Sequence, residues 1–272
     1  MPVRRGASPV LALVSLAGLV LFAWPFLGLG LPDEVPSLAL AAAAAGVHLL
    51  VGYGPNRLDN RRLALLAAIA ALDAGMRLAL VNGIAGFTPI FFLLLCAGYV
   101  FGPSFGFLAG STAMLVSALV TGGVGPWLPY EMFAAGWVGA AAGLVLGGRR
   151  DTVSWPRLVL LATAGAALGY AYGAATDVYD WSIFYRGHPT LGWEPGMGAA
   201  EALARFGRFY LATSLAWDTF RAVGNAAMVL ALGAPVLAAM SRFRARFTLV
   251  IEEVEPRSDV SAPAAAPRAS RV

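Results

Sequence analysis

The chain has 272 residues, of which 59% are hydrophobic and 12% are charged, and its mean hydropathy is +0.72. Soluble domains carry roughly 25% charged residues, so the composition predicts an integral membrane protein. All 19 basic residues are Arg. A chain without Lys forms neither a Walker A phosphate loop nor a lysine Schiff base, so any ATP must be hydrolysed by another subunit.

The formal charge of +4 does not indicate a nucleic-acid partner, because the Arg residues fall in short loops and at the ends of apolar segments. Membrane topology accounts for that placement. Cys96 stands alone in an apolar run and gives no disulfide framework. The two histidines, His48 and His188, leave no metal cluster to propose. We therefore expect no metal site and no cofactor.

Eight apolar segments approach the ~20 residues that cross a hydrocarbon core of ~30 Å. In chain order they lie at about 8–30, 36–53, 63–82, 88–101, 104–121, 130–147, 158–176 and 209–240. The segment 88–101 is short, and Gly102, Pro103 and Ser104 leave almost no loop after it, so we expect a tight helical pair there.

These segments predict an all-α membrane protein. Residues 1–60 hold two amino-terminal transmembrane helices, residues 61–246 a six-helix core, and residues 247–272 a tail whose Ala, Pro and Ser bias is typical of disorder. The opening MPVRR resembles the start of a signal peptide, but no small-residue cleavage site follows promptly, so we expect a retained helix.

The positions of the Arg residues predict the orientation. If the amino terminus is cytoplasmic, most short-loop arginines fall on the inner side: Arg4, Arg5, Arg57, Arg61, Arg62, Arg149, Arg150, Arg157, Arg242, Arg244 and Arg246. The outer side then receives fewer arginines and more acids: Arg186, Arg205, Arg208, Asp33, Glu34, Asp177, Asp180, Glu194 and Glu201. The positive-inside rule therefore places both termini in the cytoplasm. The turn at 121–132 and a long loop at about 177–208 lie outside.

Small residues recur every four positions in the middle spans, a pattern that lets helix backbones approach closely in lipid. The stripes are Gly102, Gly106 and Gly110; Gly139, Gly143 and Gly147; Gly165, Gly169 and Gly173; and Ala67 and Ala71, followed by Gly75. The glycine stripes favour packing within one bundle. The alanine stripe fits internal packing and a partner subunit equally well.

Charged residues also occur within the spans. Asp73 and Arg77 are four positions apart, and Asp218 and Arg221 are three apart, with Asn225 one turn further on. Each pair can neutralise itself, which lowers the cost of about 2.5–3.5 kcal/mol for one charge in the middle of the membrane. Such charges are functional candidates, although structural links between helices remain the alternative. Arg77, Asp218 and Arg221 are expected nearer the outer surface.

The turn TGGVGPWLPYEM, at 121–132, places Trp127, Tyr130 and Glu131 on that same side. Aromatic residues at membrane ends ordinarily form interfacial belts. Further rings occur in the expected outer loop: Tyr179, Trp181, Phe184, Tyr185 and Trp193. Rings and ionisable groups thus converge on one side of the membrane, which favours a binding site there.

Two stretches carry a resemblance to a known family. Residues 91–144, FFLLLCAGYVFGPSFGFLAGSTAMLVSALVTGGVGPWLPYEMFAAGWVGAAAGL, resemble the substrate-binding S components of energy-coupling factor (ECF) transporters, in particular a bacterial group with GxVFGPxxGFLxG followed by GPWxPxxMxAxxxxGxxAGL. Residues 213–237, TSLAWDTFRAVGNAAMVLALGAPVL, are similar to the closing helix of that group. The resemblance covers residues 60–240, and the helices before Arg61 look like an addition seen in a subset.

The resemblance implies a six-helix core in a bacterial cell membrane that binds a vitamin or cofactor precursor from outside. Such a subunit is not an enzyme, and it associates with a membrane T component and two cytosolic ATPases, whose ATP hydrolysis is coupled to its reorientation. Ala67 and Ala71 occupy the AxxxA position that docks on the T component, with Ala64 and Ala68 as an overlapping register. Cobalt and nickel members begin with Met-His, whereas this chain begins Met1-Pro2, which argues against a metal cargo.

We expect the substrate site to contain Arg77, Trp127, Tyr130, Glu131, Asp218, Arg221 and Asn225. A planar heterocycle can stack on Trp127, which adds roughly 0.5–1.5 kcal/mol per aromatic contact. Arg77 and Arg221 suit phosphate or carboxylate oxygens, while Asp218 and Glu131 suit an amine or amide. The sequence does not name the cargo.

Three other classes of protein stay open. A self-sufficient ion-coupled carrier can use Asp73 or Asp218 as a proton relay. An intramembrane hydrolase requires a nucleophile such as Ser104, but His48, the histidine within a span, lies on a peripheral amino-terminal helix. A scaffold without a ligand is the third.

Overall fold

The computed structural model describes residues 8–28, 46, 58–80, 90–147 and 153–247, and these residues contain helices and no β-strand. In chain order the helices are α1 (Pro9–Ala23), α2 (Asn60–Leu80), α3 (Phe92–Phe101), α4 (Pro103–Thr121), α5 (Leu128–Ala141), α6 (Trp155–Ile183), α7 (Ala199–Thr213) and α8 (Leu215–Phe247). A 3₁₀ turn, Trp24–Leu27, extends α1, and a π-helical turn, Ala142–Leu146, extends α5. The predicted all-α fold class is confirmed.

Four of the described helical segments are long and apolar enough to cross a membrane: Pro9–Leu27, Pro103–Thr121, Trp155–Ile183 and Leu215–Ala245. Helix α3 is apolar but has only 10 residues, and α2 carries Arg61, Arg62, Asp73 and Arg77. The predicted span at 36–53 lies outside the described residues except for Gly46, and the predicted tail lies outside them except for Phe247. The full set of eight crossings therefore stays a prediction.

The predicted tight helical pair is confirmed at α3 and α4. Gly102 is the one residue between the two helices, and its φ of 93° belongs to the left-handed region, which glycine adopts without strain. The Gly102 N–H donates to the Gly98 carbonyl at 2.9 Å, and Pro103 begins α4, where no intrahelical N–H is needed. The turn lets α4 pack directly against α3.

Glycines bring α3 and α4 into backbone contact with α5 and its π-helical turn along a line that we call the glycine seam: Gly98, Gly106, Gly110, Gly139 and Gly143. A Cβ atom added to Gly106 would collide with the carbonyl oxygen of Gly139, and one added to Gly110 would collide with the carbonyl of Ala135. The prediction that the glycine stripes serve internal packing is confirmed at these positions.

The structure corrects the expected loop at 177–208. Helix α6 continues to Ile183, well past the predicted end at 176, and residues 199–213 form α7. The hydroxyls of Thr176 and Ser182 donate to carbonyls of their own helix, so these polar side chains are hydrogen-bonded within α6. The predicted span at 209–240 is likewise divided, because α7 ends at Thr213 and α8 begins at Leu215.

Helix α1 packs on α5 and α6, and its Leu11, Val14, Leu21 and Phe22 belong to the main hydrophobic core. The Oγ of Ser8 accepts the Leu11 N–H at 3.0 Å and so caps the first turn. The other end of α1 reaches the end of the bundle that we call the aromatic end, where Trp24, Trp127, Trp181 and Trp193 lie. That end also contains the α4–α5 turn and the segment between α6 and α7.

Candidate functional site

Asp73 and Arg77 of α2 do not form the expected ion pair. Asp73 is fully buried, and neither of its carboxyl oxygens has a hydrogen-bond partner among the described residues. The Nη1 of Arg77 instead donates to the Sδ of Met114 on α4 at 3.0 Å. A spacing of four residues permits the contact, but the arginine turns toward α4 and leaves the carboxyl group unpaired.

The expected pair on α8 is formed. Arg221 Nη1 donates to Asp218 Oδ1 at 2.5 Å, and the hydroxyl of Tyr210 donates to Asp218 Oδ2 at 2.8 Å. Burial and the bond to Asp218 raise the pKa of Tyr210 above its usual value of 10.0, so the phenol stays protonated and acts as a donor at neutral pH. Gly173 on α6 gives Asp218 its space, since an added Cβ would overlap the carboxylate.

Asn225, which the sequence placed in the site, is engaged by the backbone. Its Oδ1 accepts the Phe91 N–H at 2.9 Å, and its Nδ2 donates to the Arg221 carbonyl at 2.9 Å. The residue is completely buried. These bonds tie the start of α3 to α8, which favours a structural role for Asn225 over direct contact with a ligand.

The turn between α4 and α5 positions the next three predicted residues. Trp127 precedes α5 and donates from Nε1 to the Gly123 carbonyl at 3.1 Å. Tyr130 is buried and packs against Tyr179 of α6, with ring centroids 5.2 Å apart. Glu131 lies in the first turn of α5 and interacts electrostatically with Arg77 and Arg221. The turn therefore brings Glu131 toward the charged residues of α2 and α8.

The charged side chains of the aromatic half of the bundle lie within electrostatic reach of one another. We call them the polar cluster: Arg77, Glu131, Asp177, Asp180, Asp218 and Arg221. Asp177 hydrogen-bonds Ser214, yet its Oδ2 has no partner among the described residues. The Arg221 guanidinium also lies 5.4 Å from the centroid of the Tyr172 ring. Four of the seven predicted site residues thus belong to one cluster.

An apolar cavity of about 140 Å³ lies between α5 and α6. Tyr172 lines it and also lies beside Arg221, so this residue adjoins both the cavity and the polar cluster. The other lining residues are Ala134, Trp137, Val138, Ala141, Leu168, Ala171 and Ala175. Small-molecule pockets measure roughly 300–1,000 Å³, so this cavity alone does not hold a vitamin-sized ligand.

The tip of α1 is bonded to the aromatic end. Trp24 Nε1 donates to the Tyr130 hydroxyl at 3.3 Å, and Trp193 Nε1 donates to the Pro25 carbonyl at 2.9 Å. The ring of Phe26 stacks on Trp181 at a centroid distance of 5.5 Å. Helix α1 therefore connects the segment between α6 and α7 to α5, beside the polar cluster.

The predicted docking residues Ala67 and Ala71 are exposed on one face of α2 together with Ala64, Ala68 and Gly75. The opposite face is buried against the bundle and consists of Leu66, Ile69, Ala70, Asp73 and Ala74. Helix α2 packs chiefly on α4. The alanine stripe therefore does not pack within the described part of the bundle.

The sequence analysis did not single out several residues of the site. Tyr172 and Tyr210 were not selected, and Asp177 was assigned to an external loop. The apolar spacing of Ala202, Phe206 and Phe209 is typical of an amphipathic helix and would have indicated α7. No local pattern indicates that Trp24 contacts Tyr130, because that contact joins residues 106 positions apart.

Comparison with protein families gives a direct assignment. Residues 61–233 match the family described as ECF transporter, substrate-specific component. The match covers α2 to most of α8, including every residue of the polar cluster, and it begins after α1. The chain therefore belongs to this family of membrane-embedded, substrate-binding transport subunits. Neither a search of curated proteins nor a search of solved structures gave a significant match.

Proposed function

We propose that this protein captures a small vitamin or cofactor precursor at the outer face of the bacterial cell membrane and delivers it inward. Family membership implies a T component and ATPase subunits as partners. Both termini face the cytoplasm in this proposal, so the aromatic end faces outward. Residues 61–246 form the transporting core, and the helices of 1–60 are an addition to it.

The observation that carries the proposal is the convergence of rings and charges at one end of the bundle. Helices α2, α5, α6 and α8 each contribute a member of the polar cluster. A membrane protein rarely buries so many ionisable groups without a functional reason. Arg77, Glu131, Asp218 and Arg221 contact the ligand in this proposal, Trp127 and Tyr130 close the site on its outer side, and Asn225 supports it from below.

The exposed alanine face of α2 is proposed as the contact with the T component. Ala67 and Ala71 present little side-chain volume, so a partner helix can approach the α2 backbone closely. The opposite face of α2 carries Asp73, and Arg77 is a member of the polar cluster. One helix thus connects the ligand site to the proposed docking surface.

Reconstitution tests both parts of the proposal. The protein is co-expressed with a T component and two ATPases, and ATP-driven uptake of a vitamin mixture into proteoliposomes is followed by mass spectrometry. Ala67→Leu combined with Ala71→Leu is expected to lower recovery of the T component by more than tenfold, because the larger side chains separate the helices. Ligand that copurifies with the isolated protein is expected to be unchanged.

Ala227→Leu is the matched control, since Ala227 is an exposed alanine on the spanning helix α8. It is expected to leave assembly and uptake unaffected. Uptake by vesicles that contain this protein without ATPases would contradict the proposal and would support the ion-coupled carrier. For the hydrolase alternative, Ser104 Oγ lies 3.4 Å from Ser8 Oγ, and His48, the histidine considered with it, lies outside the described residues.

A further inference from the structure

The polar cluster contains more acidic than basic groups. With Asp73, one turn of α2 before Arg77, the described residues supply five carboxyl groups and two guanidinium groups: Asp73, Glu131, Asp177, Asp180 and Asp218, and Arg77 and Arg221. Buried carboxylates without a counter-charge are unfavourable in a medium of low dielectric constant. A ligand that brings positive charge into this region therefore interacts favourably with the carboxylates.

Two of these carboxyl groups, those of Asp73 and Asp177, have oxygens available for a donor. Asp177 is 9% exposed, and its Oδ2 has no hydrogen-bond partner among the described residues. Asp177 lies beside the rest of the cluster, one turn of α6 beyond Gly173, where an added Cβ would overlap the Asp218 carboxylate. Buried polar atoms are almost always bonded, so this oxygen can accept a hydrogen bond from a donor that no described residue supplies.

The arginines of the segment between α6 and α7 and of α7 do not neutralise the excess. Arg186 lies over the Trp193 ring at 5.4 Å. Arg205 bonds Glu201 at 2.8 Å and Glu194 at 3.2 Å. These guanidinium groups are engaged with partners of their own at the surface, so they supply no counter-charge to the cluster.

Aromatic rings surround the same region. The buried Tyr172 already has the guanidinium of Arg221 at 5.4 Å from its ring centroid, which is a cation–π arrangement. Tyr179 is also buried, and it packs on Trp127 and Tyr130. Acidic groups combined with aromatic faces are the chemistry by which proteins bind organic cations.

We infer that the site takes an organic cation, meaning a small molecule with a protonated amine or a positively charged ring, and that its charge is placed against Asp177. This inference rests on the proposed function and adds the chemical class of the substrate. It assigns Asp177, which lies one turn of α6 beyond Gly173, as a ligand-binding residue. A neutral or anionic cargo finds no counterpart for the excess of carboxyl groups.

Three probes that share a benzyl group test the charge preference of the purified protein: benzyltrimethylammonium, benzyl alcohol and phenylacetate. Binding is measured by the shift in unfolding midpoint and by tryptophan fluorescence. The cation is expected to bind at least tenfold more tightly than the other two. Asp177→Asn keeps the shape of the side chain and is expected to weaken cation binding by about tenfold, because one nearby charge is removed.

Glu201→Gln is the control, since it makes the same chemical change at an exposed position outside the cluster. It is expected to bind the cation as the wild type does. Asp180→Asn, at a half-buried member of the cluster, is a second variant with the same expected direction should Asp177→Asn not fold. The absence of any preference among the three probes, whether all bind or none does, overturns the inference.

The failure of the inference is distinguishable from that of the proposed function. Assembly with the T component and ATP-driven uptake do not depend on the sign of the ligand's charge. If uptake occurs and the copurifying cargo is neutral or anionic at pH 7, the transport proposal stands and the cationic class is wrong. If uptake requires no ATPase, the proposed function is wrong whatever the probes show.

Discussion

The glycine seam and the polar cluster occupy the same bundle and are built in opposite ways. At the seam, backbone lies against backbone, and a Cβ added to Gly139 would meet the carbonyl oxygen of Gly106. In the cluster, side chains carry charge, and Asp177 Oδ2 has no partner among the described residues. The glycine seam is closely packed, whereas the polar cluster contains a carboxyl oxygen without a hydrogen-bond partner among the described residues. The seam fixes the positions of the helices, so the cluster can hold incompletely paired groups in place.

The largest loss of stability is expected for Gly139→Leu. The new side chain has no space against the backbone of α4, so we expect a loss of about 3 kcal/mol or more, with little or no folded protein recovered. Gly207→Leu is the control, because an added Cβ on that glycine of α7 meets nothing within 4 Å. Folded yield by size exclusion and the unfolding midpoint in detergent measure both variants. Equal stability of the two would show that the seam is not closely packed.

A smaller effect is expected where α1 joins the aromatic end. Trp24→Ala removes the ring that packs on Trp193 and the donor to Tyr130, so we expect a loss of about 3 kcal/mol. The segment after α6 should then become more mobile, and trypsin should cleave after Arg186 faster than in the wild type. Trp155→Ala, at a position 63% exposed, is expected to change stability by less than about 0.5 kcal/mol.

Trp24→Phe separates the two contributions, because it keeps a ring and removes the indole N–H. We expect it to retain most of the stability that Trp24→Ala loses. Cleavage after Arg186 that is equally slow in wild type and Trp24→Ala would show that α1 does not hold the segment between α6 and α7. The addition before the family core would then have no part in shaping the site.

The sequence indicated those parts of the structure that depend on neighbours along the chain. The Gly102–Pro103 turn and the Asp218–Arg221 pair are examples, since a spacing of one to four residues determines both. The spacing of Asp73 and Arg77 permitted a pair that is not formed in the tertiary structure, where Arg77 donates to Met114 instead. Local patterns predict which contacts are within reach, and packing decides which are made.

Contacts between distant segments could not be predicted in this way. The bond from Trp193 to Pro25 joins residues 168 positions apart, and Asn225 reaches Phe91 over 134 positions. Asp177 looked like a loop residue because acids usually lie outside the membrane, whereas α6 continues through it to Ile183. The apolar segments supplied most of the helix order, but neither they nor the family resemblance indicated which charges converge.

The smallest effect is expected at the hydrogen bond from Tyr210 to Asp218 in the polar cluster. Tyr210→Phe removes one hydroxyl that donates to Asp218, and we expect a loss of about 1–2 kcal/mol in the free energy of unfolding, because the acceptor is a carboxylate. Tyr170→Phe removes a comparable bond, to the neutral hydroxyl of Thr219 at 3.0 Å, and is expected to lose about 0.5–1 kcal/mol. Unfolding midpoints measured side by side compare the two.

A double-mutant cycle then shows whether the effect of Tyr210 passes through Asp218. If the bond is the main interaction of the hydroxyl, Tyr210→Phe has little further effect in an Asp218→Asn background, and the coupling energy is about 1 kcal/mol. Full additivity would mean that the hydroxyl contributes independently of the carboxylate. In that case Asp218 depends on Arg221 and on the space left by Gly173, and α7 has no energetic connection to the polar cluster through this bond.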